Sequence, residues 1–139
     1  MMSLSLQAVP VLLDTTLSAA QLYHGWTRMY HYGHQIMPAL AIATFGLYAY
    51  TALRERAANP AWRRDALAGI VTLAMLPFTW LVMVPTNNAL FARQAAGSGV
   101  SSSMVDAQEL VAFWSWLHLA RACFPLAGAA LGLRTALRR

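Results

Sequence analysis

The sequence predicts an all-α, integral membrane helical bundle with three full spans and a shortened N-terminal helix, a four-helix architecture in one domain of residues 1–139. Of the 139 residues, 58% are hydrophobic and 11% are charged, whereas soluble domains carry about 25% charged residues. Three long apolar runs, residues 36–53, 66–84 and 110–133, have the length that crosses a bilayer, about 17–25 residues. We therefore expect a multi-pass membrane protein surrounded by lipid, located in the endoplasmic reticulum or a vesicle membrane.

The first half of the chain predicts one short and one long helix. Residues 1–9 form an apolar stretch that should stop before Pro10 and is too short to span, as if its first turns were missing. The next helix should run from Leu17 to about Arg56, after N-caps offered by Asp14, Thr15 and Thr16. Its first part is rich in aromatic and polar residues, which is typical of a membrane–water interface.

The second half predicts two further spans. The second span should bend at Pro77 and end before Pro85, after which Thr86, Asn87 and Asn88 would cap a short segment of residues 89–95. Residues 97–103 read as a loop, and Asp106 with Glu109 resembles an N-terminal capping box for the last helix, which should run to about Leu137.

The charge distribution indicates how the spans are oriented. The net charge is +5 and every basic residue is arginine, with seven of the ten arginines in residues 54–64 or at the C-terminus. The positive-inside rule places both regions in the cytoplasm and explains the basicity better than a nucleic-acid partner does. Trp26, Tyr30 and His34, the segment 79–88, and the segment 114–121 would then converge in one half of the bundle.

The run of residues 110–133 holds His118 and Arg121 near its middle. Ionisable residues at that depth are costly and mark functional sites by default. Trp114, His118 and Arg121 follow the spacing i, i+4, i+7, so they share one helical face. The alternative is that Arg121 snorkels to an interface and His118 is an ordinary core histidine.

The polar residues favour an anion-binding pocket over a metal site. His31 and His34 are close enough in sequence to share a metal, but the five carboxylates all flank the spans, and bundle metal sites use carboxylates on facing helices. A site of two histidines and one carboxylate stays an alternative without a supporting spacing. Arg121 has no evident acidic partner in the spans, so an anionic ligand oxygen would satisfy it. This constellation suits a flat aromatic substrate that becomes an enolate.

A Pro-Thr-Asn-Asn motif at residues 85–88 occurs together with Trp114, Leu117, His118 and Arg121. In this combination, the more specific part of the likeness, and over nearly its whole length, the chain resembles the anthrone oxygenase family, small four-helix membrane proteins of fungal polyketide pathways. Other segments that match the family pattern are residues 3–5, 10–14, 26–30 with Gly33, His34 and Pro38, 77–80 and 89–91.

The resemblance implies oxidation of an anthrone-type polyketide to an anthraquinone by O2 as co-substrate, with no bound cofactor and no metal. On this interpretation His118 is the base or proton relay, Arg121 the oxyanion partner, and Asn87 orients the carbonyl. The residues predicted to contact the substrate are Trp114, Trp26, Tyr30, His34, Asn88 and Thr79. For the aromatic residues from Tyr23 to Tyr30, an interfacial belt with core packing is the alternative.

The expected partners follow from this interpretation. They are a small aromatic polyketide substrate and the lipid bilayer, with no nucleic acid, together with a possible homo-oligomer or association with polyketide pathway enzymes. The competing functional class is a non-catalytic membrane scaffold or interaction subunit for a polyketide biosynthetic enzyme.

Overall fold

The structure, a computed structural model, describes residues 2–57, 60–97 and 103–138. Every regular element in these ranges is helical and none is a strand, which confirms the all-α prediction. The α-helices are α1 (Val9–Thr15), α2 (Ala19–Glu55), α3 (Trp62–Leu73), α4 (Met75–Phe78), α5 (Val84–Ala96) and α6 (Met104–Ala136). Two π-helical turns, Leu4–Ala8 and Thr79–Met83, precede α1 and α5. Most of the loop predicted at residues 97–103 lies outside the described residues.

Three helical stretches are long and apolar enough to cross a membrane: α2, the stretch Trp62–Ala96 that comprises α3 to α5, and α6. The stretch Leu4–Thr15 is shorter. Large apolar side chains point outward, with Leu81 79% and Trp116 70% exposed. Such a surface suits lipid rather than water. The prediction of three spans and a short N-terminal helix is confirmed.

The chain divides into two compact units. The first comprises Met1–His34 and Phe78–Arg121, and the second comprises Gln35–Pro77 and Ala122–Arg139. The core of the first unit includes the fully buried Leu22, Trp26, Leu90 and Val111. It also contains all nine residues for which the sequence predicts a catalytic or substrate-binding role.

Glycines on α6 set the packing of the second unit. Gly128 and Gly132 are four residues apart and share one helical face. A Cβ atom on Gly128 would lie 2.8 Å from the carbonyl oxygen of Ala68 and would also meet Thr72, and one on Gly132 would lie 2.7 Å from the Tyr48 ring. Small residues let transmembrane helices approach closely, as they do here for α2, α3 and α6.

We expect Gly128→Ala to lower the free energy of unfolding by about 1–3 kcal/mol, because the added methyl group overpacks this contact. Thermal unfolding in detergent measures the change. Gly46→Ala is the matched control, since within the described residues no atom outside the adjoining stretch of its own helix lies within 4 Å of a Cβ at that position. If both variants unfold at the temperature of the unchanged protein, the close packing at Gly128 is not as described.

The predictions that helices end before Pro10 and Pro85 were wrong. Each proline is the second residue of a helix that directly follows a π-helical turn. The Val9 and Val84 N–H groups reach back five residues, to the carbonyls of Leu4 and Thr79. Because the wider turn already interrupts the regular hydrogen-bond ladder, the missing proline N–H is tolerated there. As a result Asn87 lies inside α5 rather than in a cap.

The caps also differ from those predicted. The hydroxyls of Thr15 and Thr16 donate to carbonyls one turn back, each at 2.6 Å, and so belong to the end of α1. Ser18 Oγ accepts from the Gln21 N–H at 3.4 Å at the start of α2. At the start of α6, Ser103 Oγ accepts the Asp106 N–H at 3.1 Å. Serines thus occupy the two N-cap positions, as their side-chain geometry favours.

Candidate active site

His118 and Arg121 form a hydrogen-bonded pair on α6, in the first unit. Arg121 Nη2 lies 2.8 Å from His118 Nε2, and the His118 side chain is only 4% exposed. A guanidinium can only donate, so Nε2 must be the acceptor and carries no proton. The imidazole is therefore neutral, with its proton on Nδ1, an assignment that follows from the hydrogen-bond network.

Ser5 completes the contacts of the His118 ring. Its Oγ lies 3.1 Å from His118 Nδ1 and accepts the Nδ1 proton under this assignment. Ser115 Oγ donates to the Ser5 carbonyl oxygen at 3.3 Å, which fixes the π-helical turn Leu4–Ala8 against α6. Sequence analysis gave Ser5 no role, although the residue lies in one of the segments that carry the family resemblance.

Arg121 is surrounded by neutral partners. Its Nη1 donates to Thr79 Oγ1 at 3.4 Å, and its Nε is buried without a hydrogen-bond acceptor within the described ranges. In that part of the chain its hydrogen-bond partners are thus His118 and Thr79, and no carboxylate pairs with it. Buried donors without acceptors are rare and costly in native proteins. The guanidinium is therefore the point in this unit best suited to bind an anionic oxygen.

Asn87 and Trp114 form the second buried polar contact. Trp114 Nε1 donates to Asn87 Oδ1 at 2.9 Å, and both side chains are less than 5% exposed. This contact joins α5 to α6 one turn before His118, whose ring centroid lies 5.1 Å from that of Trp114. Asn87 Oδ1 already accepts the Trp114 N–H. The Asn87 side chain can therefore contact a ligand through its amide nitrogen, as a hydrogen-bond donor.

An aromatic cluster surrounds Trp26, which is fully buried. Its ring centroid lies 5.7 Å from Trp114, 5.3 Å from Tyr30 and 5.0 Å from Phe91. Sequence analysis assigned no role to Phe91. Trp26 Nε1 has no hydrogen-bond acceptor among the residues that the structure covers. Together with Arg121 Nε it makes a second buried donor in this unit, and both would be satisfied by acceptor oxygens of a ligand.

Two predicted substrate contacts lie away from the buried cluster. His34 is exposed and stacks on Tyr30, with ring centroids 5.3 Å apart. Its Nδ1 donates to the Tyr30 carbonyl oxygen at 3.1 Å. Asn88 is exposed in α5, whereas its neighbour Asn87 is buried. The structure thus brings together Trp26, Asn87, Trp114, His118 and Arg121, with Thr79 beside Arg121 and Tyr30 at the edge.

An open cavity of about 240 Å³ lies beside the Ser5–His118 contact. The turns around Ser5 and Val9 line one side and the segment of α6 that carries Ser115 and Trp116 lines the other. The lining is apolar apart from the two serines, so this cavity offers an apolar approach to the edge of the site.

The metal alternative depends on how close the ionisable side chains lie to one another. The ring centroids of His31 and His34 are 5.8 Å apart. Within the described part of the chain there is no group of three or more His, Cys, Asp or Glu side chains arranged to hold a metal ion. The donor set around His118 consists of N–H and hydroxyl groups, which complement an oxygen-bearing ligand. Independence from a cofactor stays a prediction.

Comparisons with known proteins found similar sequences over most of this chain. A family model described as anthrone oxygenase matches residues 26–131. Anthrone oxygenase AgnL2 of Paecilomyces divaricatus is 57% identical over 95% of this chain and 83% of its own length. Anthrone oxygenase ptaC of Pestalotiopsis fici is 46% identical over 99% of this chain and 100% of its own. Noranthrone monooxygenase of Aspergillus flavus is 40% identical over 96% of this chain and 64% of its own. No solved structure matches the chain.

Proposed function

The chain belongs to the anthrone oxygenase family, and we propose that it oxidises an anthrone-type polyketide to the anthraquinone with O2 and without a bound cofactor. The observation that carries the proposal is the half-buried guanidinium of Arg121. Among the described residues this guanidinium has only neutral hydrogen-bond partners and a buried N–H without an acceptor, and it lies next to the neutral ring of His118. This is the arrangement that an enolate would complete.

The chemistry needs a base and an oxyanion site. A base removes one methylene proton from the anthrone, and the resulting anion is delocalised as an enolate. One electron passes from the enolate to O2, and the two radicals combine through a new C–O bond to give a peroxide. The peroxide anion takes back the proton that the base removed first. Cleavage of the O–O bond with loss of the second methylene proton then forms the new carbonyl, and the released hydroxide takes up that second proton to become water. One oxygen atom of O2 enters the quinone and the other enters water.

Arg121 and His118 would act together in this sequence. In the ligand-free arrangement Arg121 covers His118 Nε2, the nitrogen that would act as base. The carbonyl oxygen of the bound anthrone would accept the Arg121 N–H in place of Nε2, which turns Arg121 toward the substrate and exposes the lone pair of Nε2. The same contact strengthens as the carbonyl becomes an enolate oxygen, because hydrogen bonds between charged groups are the stronger ones. Ser5 Oγ accepts a hydrogen bond from the Nδ1–H group of His118, and this bond keeps the ring in the tautomer in which Nε2 is the basic nitrogen.

The remaining residues would place the substrate. The Asn87 amide nitrogen is free to donate to a carbonyl oxygen, while Trp114 fixes the orientation of the amide. Rings of Trp26, Tyr30 and Trp114 would flank the planar substrate and exclude water, which strengthens the electrostatic contacts. The cavity beside Ser5 gives apolar O2 a path to the edge of the site.

Quinone formation by purified protein in detergent tests the proposal. We expect oxygen uptake and quinone production in equal amounts, above the rate in detergent alone and unchanged by a chelator. With ¹⁸O2, one labelled oxygen should appear in the quinone. Activity lost to a chelator and restored by iron or copper would favour the metal alternative. A rate no higher than autoxidation would favour the scaffold for a polyketide biosynthetic enzyme.

The proposal also includes the membrane in which the protein is located and its association with other proteins. Three membrane-length apolar helices suit an apolar substrate that partitions into lipid, and we place the protein in the endoplasmic reticulum or a vesicle membrane. A homo-oligomer or an association with pathway enzymes stays a prediction, which crosslinking in isolated membranes would test.

We expect Trp26→Phe to lower kcat/KM for a ring-hydroxylated anthrone by about 2–10-fold, the effect of losing one hydrogen bond. The reason is that the buried indole N–H would donate to an oxygen substituent of the substrate. The effect on unsubstituted anthrone should be smaller. Trp80→Phe is the control, because Trp80 is 69% exposed. An equal loss for both anthrones would mean that Trp26 serves packing alone.

A further inference from the structure

The second unit contains an open cavity of about 260 Å³ where α2 ends and α3 begins. The C-terminal part of α2 contributes Phe45 and Leu53, and α3 contributes Trp62 at its start and Ile70 two turns later. The other lining residues are alanines and a glycine, except for Arg56. The cavity is therefore an apolar groove with a single cationic side chain.

The charge around this groove is strongly positive. Residues 54–64 contain four arginines and one glutamate, and all four arginine side chains are exposed. The Arg56 guanidinium lies 5.5 Å from the centroid of the Trp62 ring, and that of Arg63 lies 5.7 Å from it. Cation–π contact with Trp62 holds both guanidinium groups near the groove.

The groove also lies at the ends of two membrane-length stretches, Ala19–Glu55 and Trp62–Ala96. This places it at the depth where lipid headgroups meet the hydrocarbon, the region that tryptophan and arginine favour. Basic pockets between transmembrane helices bind anionic headgroups. Charge complementarity therefore selects a lipid with a net negative headgroup over a zwitterionic one.

We propose that this groove binds one anionic phospholipid, with an acyl chain against Phe45, Leu53 and Ile70 and the phosphate at Arg56. The chain buries apolar surface that the groove otherwise leaves open, and the phosphate pairs with the guanidinium. The site is separate from the residues of the proposed reaction, so the two proposals stand or fall independently.

Thermal unfolding of the purified full chain in detergent tests the proposal. The added compounds are phosphatidylglycerol, phosphatidylcholine with the same acyl chains, the matching diacylglycerol, and inorganic phosphate. We expect phosphatidylglycerol to raise Tm in a concentration-dependent way, because a ligand of the folded state stabilises it. The other three should have a clearly smaller effect, and native mass spectrometry should find one retained phosphatidylglycerol per chain.

Two variants locate the site. Arg56→Gln should abolish the preference for phosphatidylglycerol over phosphatidylcholine, and Ala49→Leu should weaken binding by filling the groove, which Ala49 lines. Arg138→Gln is the matched control, because Arg138 is also exposed but is not among the residues that line the groove. A preference that survives in Arg56→Gln would overturn the proposal. An equal shift by inorganic phosphate would replace it with a simple anion site.

Discussion

Replacing His118 with alanine is expected to lower kcat for quinone formation by about 10²–10⁴-fold, the usual loss when a general base is removed. His118 Nε2 accepts a hydrogen bond from Arg121 Nη2 at 2.8 Å and therefore carries the lone pair that a general base needs. Without it, proton removal falls to solvent or to the hydroxyl of Ser5, which is a far weaker base. KM should change much less than kcat, since the apolar contacts remain.

Folding must be checked for this variant, because His118 is buried and its loss leaves a void. Circular dichroism and Tm in detergent provide that check, with His118→Gln as a variant of closer volume. Ser5→Ala gives the graded comparison, because it keeps the imidazole and removes the partner of Nδ1. It should lower kcat by only about 2–10-fold, the effect of one hydrogen bond, with KM unchanged. A folded His118→Ala protein with the wild-type rate would remove the assignment of His118 as base.

Helical periodicity alone predicted the face on which the site is built. The spacing of Trp114, His118 and Arg121 places them together, and the structure adds contact distances of 5.1 Å between the first two rings and 2.8 Å between the last two side chains. The contact between Asn87 and Trp114 joins residues 27 positions apart in the sequence. Helical periodicity cannot predict it, and only the arrangement of the spans places the two residues in the same half of the bundle. Long-range pairs of this kind follow from which ends of the spans lie together.

The contributions of the two π-helical turns were beyond sequence reasoning. Each turn supplies one hydroxyl to the site: Ser5 contacts His118, and Thr79 contacts Arg121. The rule that proline ends a helix assumes an unbroken ladder of bonds to the fourth residue back. Here the bond spans five residues just before each proline. That local change is stabilised by tertiary contacts, which no local pattern reports, and such turns are frequent at functional sites.

Packing of the second unit shows the same limit. Gly128 and Gly132 were visible in the sequence, but which helices they contact was not. The close approach to Ala68, Thr72 and Tyr48 depends on how α2 and α3 fold back within that unit. In contrast, the apolar run lengths alone correctly predicted three membrane-length stretches.

Replacing Arg121 with lysine is expected to lower kcat/KM by about 10²–10³-fold, the usual loss of an oxyanion-stabilising donor. The planar guanidinium reaches His118 and Thr79 with separate N–H groups and still has a buried Nε without an acceptor in the described ranges. A compact ammonium cannot reproduce this fork.

Arg28→Lys is the matched control for the arginine-to-lysine change itself. Arg28 is exposed and contacts only Tyr32 within the described residues. That variant should keep the wild-type rate. Arg121→Gln should be at least as poor as Arg121→Lys, because it removes the charge as well as the fork. Oxygen uptake and quinone formation are measured for all three, each after its autoxidation background is subtracted. If Arg121→Lys folds and retains the wild-type rate, a positive charge of any shape suffices. If Arg121→Gln does so as well, the enolate is stabilised elsewhere, and Trp26 and Asn87 become the donors to test.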